Sequence, residues 1–158
     1  MMEQTTGLVL RKSITVEAAQ KRAFAVFTEG LARWWPLDTH HIGSQPAQTA
    51  VLEPRAGGRW YERAADGTEC NWGRVLTWEP PRRVVLSWEI SADFKPDPSV
   101  KTEIEVRFIV EGPARTRVEL EHRGLESYGA KAKELYTVFD SERGWGALIA
   151  RFAAIAKG

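Results

Sequence analysis

The sequence predicts an α+β domain in which one antiparallel sheet is closed by a C-terminal helix. Three observations lead there. In the last segment, Trp145, Ile149, Phe152 and Ala156 fall nearly in line at about 100° per residue, with Leu148 and Ile155 beside them. That makes an apolar stripe of the width a helix lays on a core. Six strand-like segments follow one another with short turns between them, which means an antiparallel meander, since parallel strands need long crossovers. Finally, 158 residues suit a single domain with a core of useful size.

Taken in order, residues 1–7 read as a polar tail and 8–158 as one domain. Leu8 to Val16 alternates as a strand, with Leu8, Leu10, Ile14 and Val16 on one face and Lys12 interrupting it. Glu17 to Trp35 is helical, with Phe24, Phe27, Leu31, Trp34 and Trp35 at three- and four-residue spacing. Gly30 marks a break into a second short helix, and Pro36 stops it. Leu37 to Gln48 is a polar loop. The strands expected next are Thr49–Glu53, Gly58–Arg63, Thr68–Glu79, Arg82–Ser91, Val100–Glu111 and Arg115–His122. Their punctuation is Pro54, Gly57-Gly58, Asp66-Gly67, Pro80-Pro81, a proline-bearing loop and Gly112-Pro113. A short helix over Tyr128–Phe139 precedes the final one, which Asp140 or Ser141 can cap.

Turn lengths set the register. A two-residue turn at Asp66-Gly67 places Trp60 opposite Gly73 and Glu62 opposite Asn71. A two-residue turn at Pro80-Pro81 places Gly73 opposite Trp88, so that a glycine gives two indoles room. A three-residue loop Gly112–Ala114 pairs Phe108 with Val118, Val106 with Leu120 and Ile104 with His122. The opposite face of Thr68–Glu79 carries Trp72, Leu76 and Trp78 and is also apolar. Alternation alone therefore leaves open which face lines the interior.

Composition excludes several function classes. A net charge of +1 supplies no field for nucleic acid or an anionic membrane. A single cysteine, Cys70, excludes an intrachain disulfide and fits a reducing compartment. No leader-like apolar run opens the chain, and no stretch approaches the roughly 20 apolar residues that span a bilayer. A cytoplasmic location is expected. No glycine-rich phosphate loop, Ser-His-Asp order or Cys/His cluster is present, so neither a cofactor nor a metal is expected. Seven tryptophans, by contrast, must either fill a thick core or line a hollow one.

Several motifs now combine. They are Phe24-Ala-Val-Phe27, Trp34-Trp35-Pro36, Gly57-Gly58-Arg-Trp60, Asp66-Gly67, Trp72-Gly73-Arg-Val75, the run from Trp78 to Trp88, and Gly144-Trp145 with Leu148 and Phe152. In order and spacing they resemble the helix-grip, START-like superfamily of SRPBCC proteins. Within it, they resemble the family named for homology to the activator of the heat-shock protein 90 ATPase. The resemblance covers about Val9 to Ala156. It implies a curved antiparallel sheet of six to seven strands wrapped around a long C-terminal helix, with a cavity between them. It also implies that members bind varied apolar ligands.

Against that frame, the residues expected to meet a ligand are Trp34, Trp35, Trp60, Glu62, Asn71, Gly73, Trp88, Phe108, His122, Trp145, Leu148 and Phe152. Glu62 shares the presumed inner face with Trp60, Asn71 and Gly73, where desolvation would make it an acid or base. The alternative is a carboxylate paired at the sheet's end. His122 faces inward and can hydrogen-bond a ligand or move a proton; the alternative is a satisfied core histidine. Two adjacent indoles on one helix diverge, so either Trp34 or Trp35 should be partly exposed. His40 and His41, with Asp38 nearby, read as a loop over the cavity rather than as metal ligands. Cys70 has no activating partner. The arginines Arg82, Arg83, Arg115, Arg117 and Arg123 interleave with Glu119 and Glu121 and read as surface pairs.

The leading functional expectation is a protein that binds a small hydrophobic or aromatic molecule, with no residue assigned as catalytic. Self-association into a homodimer stays open. The alternatives are an enzyme of the cyclase, dehydratase or hydrolase type using Glu62 and His122, and a protein-interaction module related to the heat-shock protein 90 ATPase activators. The module should show an exposed apolar patch at Trp34, Trp72 or Trp78.

Overall fold

The computed structural model describes residues 8–157. The expected tail over residues 1–7 lies outside the described residues. The chain runs β1 (Leu10–Val16), α1 (Gln20–Thr28), α2 (Leu31–Trp34), β2 (Ala47–Leu52), β3 (Arg59–Ala64), β4 (Glu69–Glu79), β5 (Arg83–Trp88), β6 (Thr102–Gly112) and β7 (Arg115–Arg123). A 3₁₀ segment (Leu125–Lys131) then leads into α3 (Ala132–Asp140) and α4 (Trp145–Ala156). All seven strands form one antiparallel sheet in the order β1-β7-β6-β5-β4-β3-β2. The chain order thus closes β1 onto β7, and α4 packs across β1, α1 and α2. This is the helix-grip arrangement.

The apolar stripe of α4 meets the core as its spacing dictates. Phe152 is fully buried between Phe27 and Trp34, with ring centroids 5.2 and 5.7 Å away. Phe24 bridges Phe108 and Trp78, at 5.1 Å from each. Lys12, which breaks the apolar face of β1, is half-buried and forms an ion pair with Asp140 at the end of α3.

The start of α4 departs from expectation. Neither Asp140 nor Ser141 caps it. Asp140 ends α3, the Ser141 hydroxyl donates to the Val138 carbonyl, and Gly144 is the N-cap, without a side-chain cap. The reason is steric. A Cβ on Gly144 would lie 2.0 Å from the Phe139 carbonyl oxygen, so α4 begins in close contact with the end of α3, where only glycine fits.

Register also holds with corrections. Phe108, Val106 and Ile104 pair with Val118, Leu120 and His122 as expected, but the turn is tighter: Gly112 pairs with Arg115, and the register shifts between Val110 and Gly112. At Asp66-Gly67 the loop takes three residues, so Glu62 pairs with Cys70 and Tyr61 with Asn71. A shift then restores Trp60 opposite Gly73. The loop after β4 is likewise one residue longer than expected, since Glu79 pairs with Arg83, and a second shift near Leu76 compensates, pairing Val75 with Leu86.

These two irregularities in β4 answer the question that alternation left open. They put Trp72, Val75 and Trp78, three residues apart, all on the inner face, while Arg74 and Leu76 face outward. Asn71 is carried to the outer face beside Tyr61. Gly73 lies close against β5: a Cβ there would sit 2.0 Å from the Ser87 carbonyl oxygen.

The outer face carries an ionic network that strand alternation did not reveal. Glu105, 3% exposed, accepts from Arg83 and Arg123 and is ion-paired with Arg107. Burial alone would raise its carboxyl pKa, but the Arg123 and Arg83 hydrogen bonds outweigh burial and hold it below the usual range.

Candidate functional site

A space opens between the sheet and the N-terminal end of α4. A cavity of about 430 Å³ lies there. Its inner walls are Trp35, Trp88, His122, Phe139, Trp145 and Leu148. Thr39 to Ile42 from the loop before β2, Phe94 from the loop after β5, and Val138, Arg143 and Gly144 complete the lining.

Local sequence explains how Trp35 reaches this space. Trp34 ends α2 and is fully buried, donating its indole N–H to the Val26 carbonyl. Trp35 has extended backbone (φ −70°, ψ 128°), as a residue before proline must. Its ring therefore also turns inward, and its N–H donates to the His40 carbonyl at 2.8 Å. Both indoles are buried, and the expected exposure of one does not occur. The helix ends between them.

His122 sits in the wall with every polar atom committed. The Trp145 indole N–H, which can only donate, gives its proton to His122 Nδ1 at 3.1 Å. Nδ1 is therefore bare, and Nε2 carries the ring proton and donates to Thr102 Oγ1 at 3.1 Å. The Thr102 hydroxyl in turn donates to the Trp88 carbonyl at 2.8 Å. This chain fixes the tautomer and runs in one direction. The ring also stacks on Phe139 at 4.9 Å, and burial pushes its pKa down to about 3. His122 is thus a neutral, satisfied part of the wall.

Glu62 does not line the cavity. It is 2% exposed and accepts from the backbone N–H groups of Ile42 and Gly43 and from the Trp72 indole. Its carboxylate therefore anchors the loop that forms one side of the mouth. Cys70, paired with Glu62, is half-buried. Burial and then the Glu62 charge push its thiol up to about 11, so it stays protonated.

Across the mouth, His40 Nε2 donates to the Arg143 carbonyl at 2.7 Å, tying the loop to the α3–α4 turn. His41 Nδ1 donates to the Gly43 carbonyl at 2.8 Å.

Of the residues named from the sequence, the structure brings Trp35, Trp88, His122, Trp145 and Leu148 together around the cavity. It places Trp34, Trp60, Phe108 and Phe152 in the packed core. Gly73 lies against β5 and Asn71 on the outer face. Phe152 misses the cavity because it lies two turns along α4 from Trp145, where Phe27 and Trp34 fill the space. Trp34 and Trp72 are fully buried and Trp78 packs edge-on against Phe24, so these rings form no exposed apolar patch. Sequence reasoning missed Phe94, Val138, Phe139 and Arg143. Phe94 alone carried a signal, as the sole aromatic residue of a polar, proline-bearing loop.

Among the described residues, no helix is long and apolar enough to cross a membrane. No curated protein matches the chain. Among solved structures, it is 37% identical to an anthrahydroquino-gamma-pyrone synthase, Txn09, solved in complex with SUM. The match covers 98% of this chain and 99% of that one, with a TM-score of 0.65. It is 30% identical to CalC, a self-sacrificing resistance protein from Micromonospora echinospora, covering 94% and 93% of the two chains at a TM-score of 0.71. An AHSA1-like protein from Aeromonas hydrophila, 18% identical over 92% and 90% of the two chains at a TM-score of 0.56, shares the fold. The family model for Activator of Hsp90 ATPase homolog 1-like protein matches residues 17–157. The chain belongs to that family.

Proposed function

We propose that this protein binds a flat, largely apolar aromatic molecule in the cavity at the N-terminal end of α4. The observation that carries this reading is the wall itself. Three indoles, Trp35, Trp88 and Trp145, together with Phe139 and Leu148, surround about 430 Å³, within the size range of small-molecule sites. The inner polar groups of His122 and Trp145 are spent on each other, so the interior offers mostly ring faces and edges, beside the one buried indole N–H of Trp88 that has no partner among the described residues. Likeness to an anthrahydroquino-gamma-pyrone synthase supports a fused-ring aromatic as the ligand type.

The test is a tryptophan-fluorescence titration with flat fused-ring compounds such as anthraquinone, repeated on Leu148→Trp. Saturable quenching that Leu148→Trp abolishes, with folding retained by circular dichroism, supports the reading. No saturable quenching in the parent protein overturns it.

The same likeness favours a second reading, in which the chain acts on such a molecule. Glu62 and His122 do not supply an acid–base pair for it, since both are fully hydrogen-bonded and only His122 reaches the cavity. Mass-spectrometric detection of a changed ligand after incubation would separate catalysis from binding.

A further inference from the structure

The cavity's charge is as one-sided as its walls are apolar. Among the described residues, its lining includes one arginine and three histidines and no carboxylate. His122 is committed, and His40 uses both ring nitrogens, on the Arg143 carbonyl and the Thr39 hydroxyl. His41 uses Nδ1 on the Gly43 carbonyl, and no partner occupies its Nε2 among the described residues. Arg143 is the remaining cation. Its side chain is exposed at the mouth and forms no ion pair among the described residues, although most arginines of this chain do. A guanidinium left unpaired at the rim of an apolar hollow is matched by an oxyanion on whatever fills that hollow. The N-terminus of α4 opens on the same space and adds to the attraction.

Resting on the cavity-binding reading above, we propose that the ligand is an aromatic acid. Its ring system lies against Trp35, Trp88 and Trp145, and its oxyanion, a carboxylate or ionised phenol, meets the Arg143 guanidinium at the mouth. The polar end thus faces out, and the apolar end fills the interior, where the Trp88 indole N–H is a buried wall donor without a partner among the described residues.

Two fluorophores with a common body test this. 1-Anilinonaphthalene-8-sulfonate carries an anion, and N-phenyl-1-naphthylamine is the same ring system without it. The parent protein should bind the anionic probe roughly 5-fold more tightly, the scale of one partly solvated ion pair. Arg143→Gln should remove most of that difference and leave the neutral probe's affinity unchanged. Arg143 makes no side-chain contact that the fold needs, so the variant should melt with the parent. Leu148→Trp should block both probes, showing that they occupy the cavity. Equal affinity for the two probes, or a preference that survives Arg143→Gln, overturns the assignment of an acid while leaving the cavity reading intact. Failure of both probes to bind overturns the cavity reading itself, and this inference with it.

Discussion

Glu62 gives the sharpest test of how the mouth of the cavity is held. Its two oxygens accept three N–H groups: those of Ile42 and Gly43 from the loop, and that of Trp72 from β4. In Glu62→Gln the shape is kept, and one amide oxygen can still serve the Ile42 N–H and the Trp72 indole. The amide NH₂ then faces the Gly43 N–H, donor against donor, and the charge is lost from the bonds that survive. Losing one charge-assisted hydrogen bond in a buried site costs about 1.5–3 kcal/mol. For a chain of this length each kcal/mol moves Tm by roughly 2–4 °C, so Glu62→Gln should melt roughly 3–12 °C lower. Glu62→Ala, which strands all three donors, should fall further. Differential scanning calorimetry measures this, and limited proteolysis of the loop before β2 should quicken in step. A Glu62→Gln protein within about 0.5 kcal/mol of the parent, with the loop no more susceptible to cleavage, would refute the anchoring role.

Other consequences are equally direct. His122 stays neutral in the fold down to about pH 3, while in the unfolded chain it takes a proton below its ordinary value. Between those limits the unfolded state binds more protons, so the His122 contribution to stability falls as pH drops, by about 1.4 kcal/mol per unit. Urea titrations at pH 6 and pH 4.5 should show a shallower loss for His122→Asn than for the parent, and identical losses would contradict the assignment. Gly144→Ala should destabilise by 1–3 kcal/mol or more on the scale of overpacking, since its Cβ meets Phe139 oxygen at 2.0 Å. Gly146→Ala, with nothing within 4 Å, should instead stabilise α4 by up to about 1 kcal/mol. Thermal melts that rank the two alike would contradict the close α3–α4 contact. Phe94 has φ +60° and is 40% exposed at the mouth. Phe94→Gly should therefore be more stable than Phe94→Ala by roughly 1 kcal/mol, and both should bind an aromatic ligand more weakly, as titration can show.

The fold was legible because its signals are local and periodic: the stripe of α4, Gly30 between two short helices, and turn residues between strands. The register of the last hairpin followed from matching apolar faces across it, even though the turn closes differently. The candidate site was legible where an inner-face side chain lies near the start of α4, as Trp145, Leu148 and His122 do. It was not legible where chain distance hides proximity. Arg143 falls on the polar side of the final helical stretch in sequence, and only the hydrogen bond of its carbonyl with His40 places it at a mouth. Glu62 was correctly set on the inner face, but its partners come from a loop about 20 residues earlier, whose path no periodicity describes. Asn71 was misplaced by one position because the Asp66-Gly67 loop took an extra residue, and a one-residue slip in a strand exchanges its faces.

Why a chain so rich in tryptophan should keep a hollow follows from what the indole nitrogens do. Trp34, Trp35, Trp60, Trp72 and Trp145 each donate to an acceptor inside the protein: two to residues of their own helix–loop segment, one to β5, one to Glu62 and one to His122. Each bond fixes the angle of a large ring, and turning any ring to fill the space would strand a buried donor at a cost of about 1–3 kcal/mol. Rings held by their edges cannot slide together as aliphatic side chains can. With Trp35 and Trp145 held in this way, the gap between them and Trp88 stays open at the N-terminal end of α4. The same hydrogen bonds occupy the indole donors of Trp35 and Trp145, while the Trp88 indole N–H, buried in the wall, has no partner among the described residues. Shape and apolar character inside, and charge at the rim, are thus two results of one arrangement, and both fit the aromatic acid proposed above.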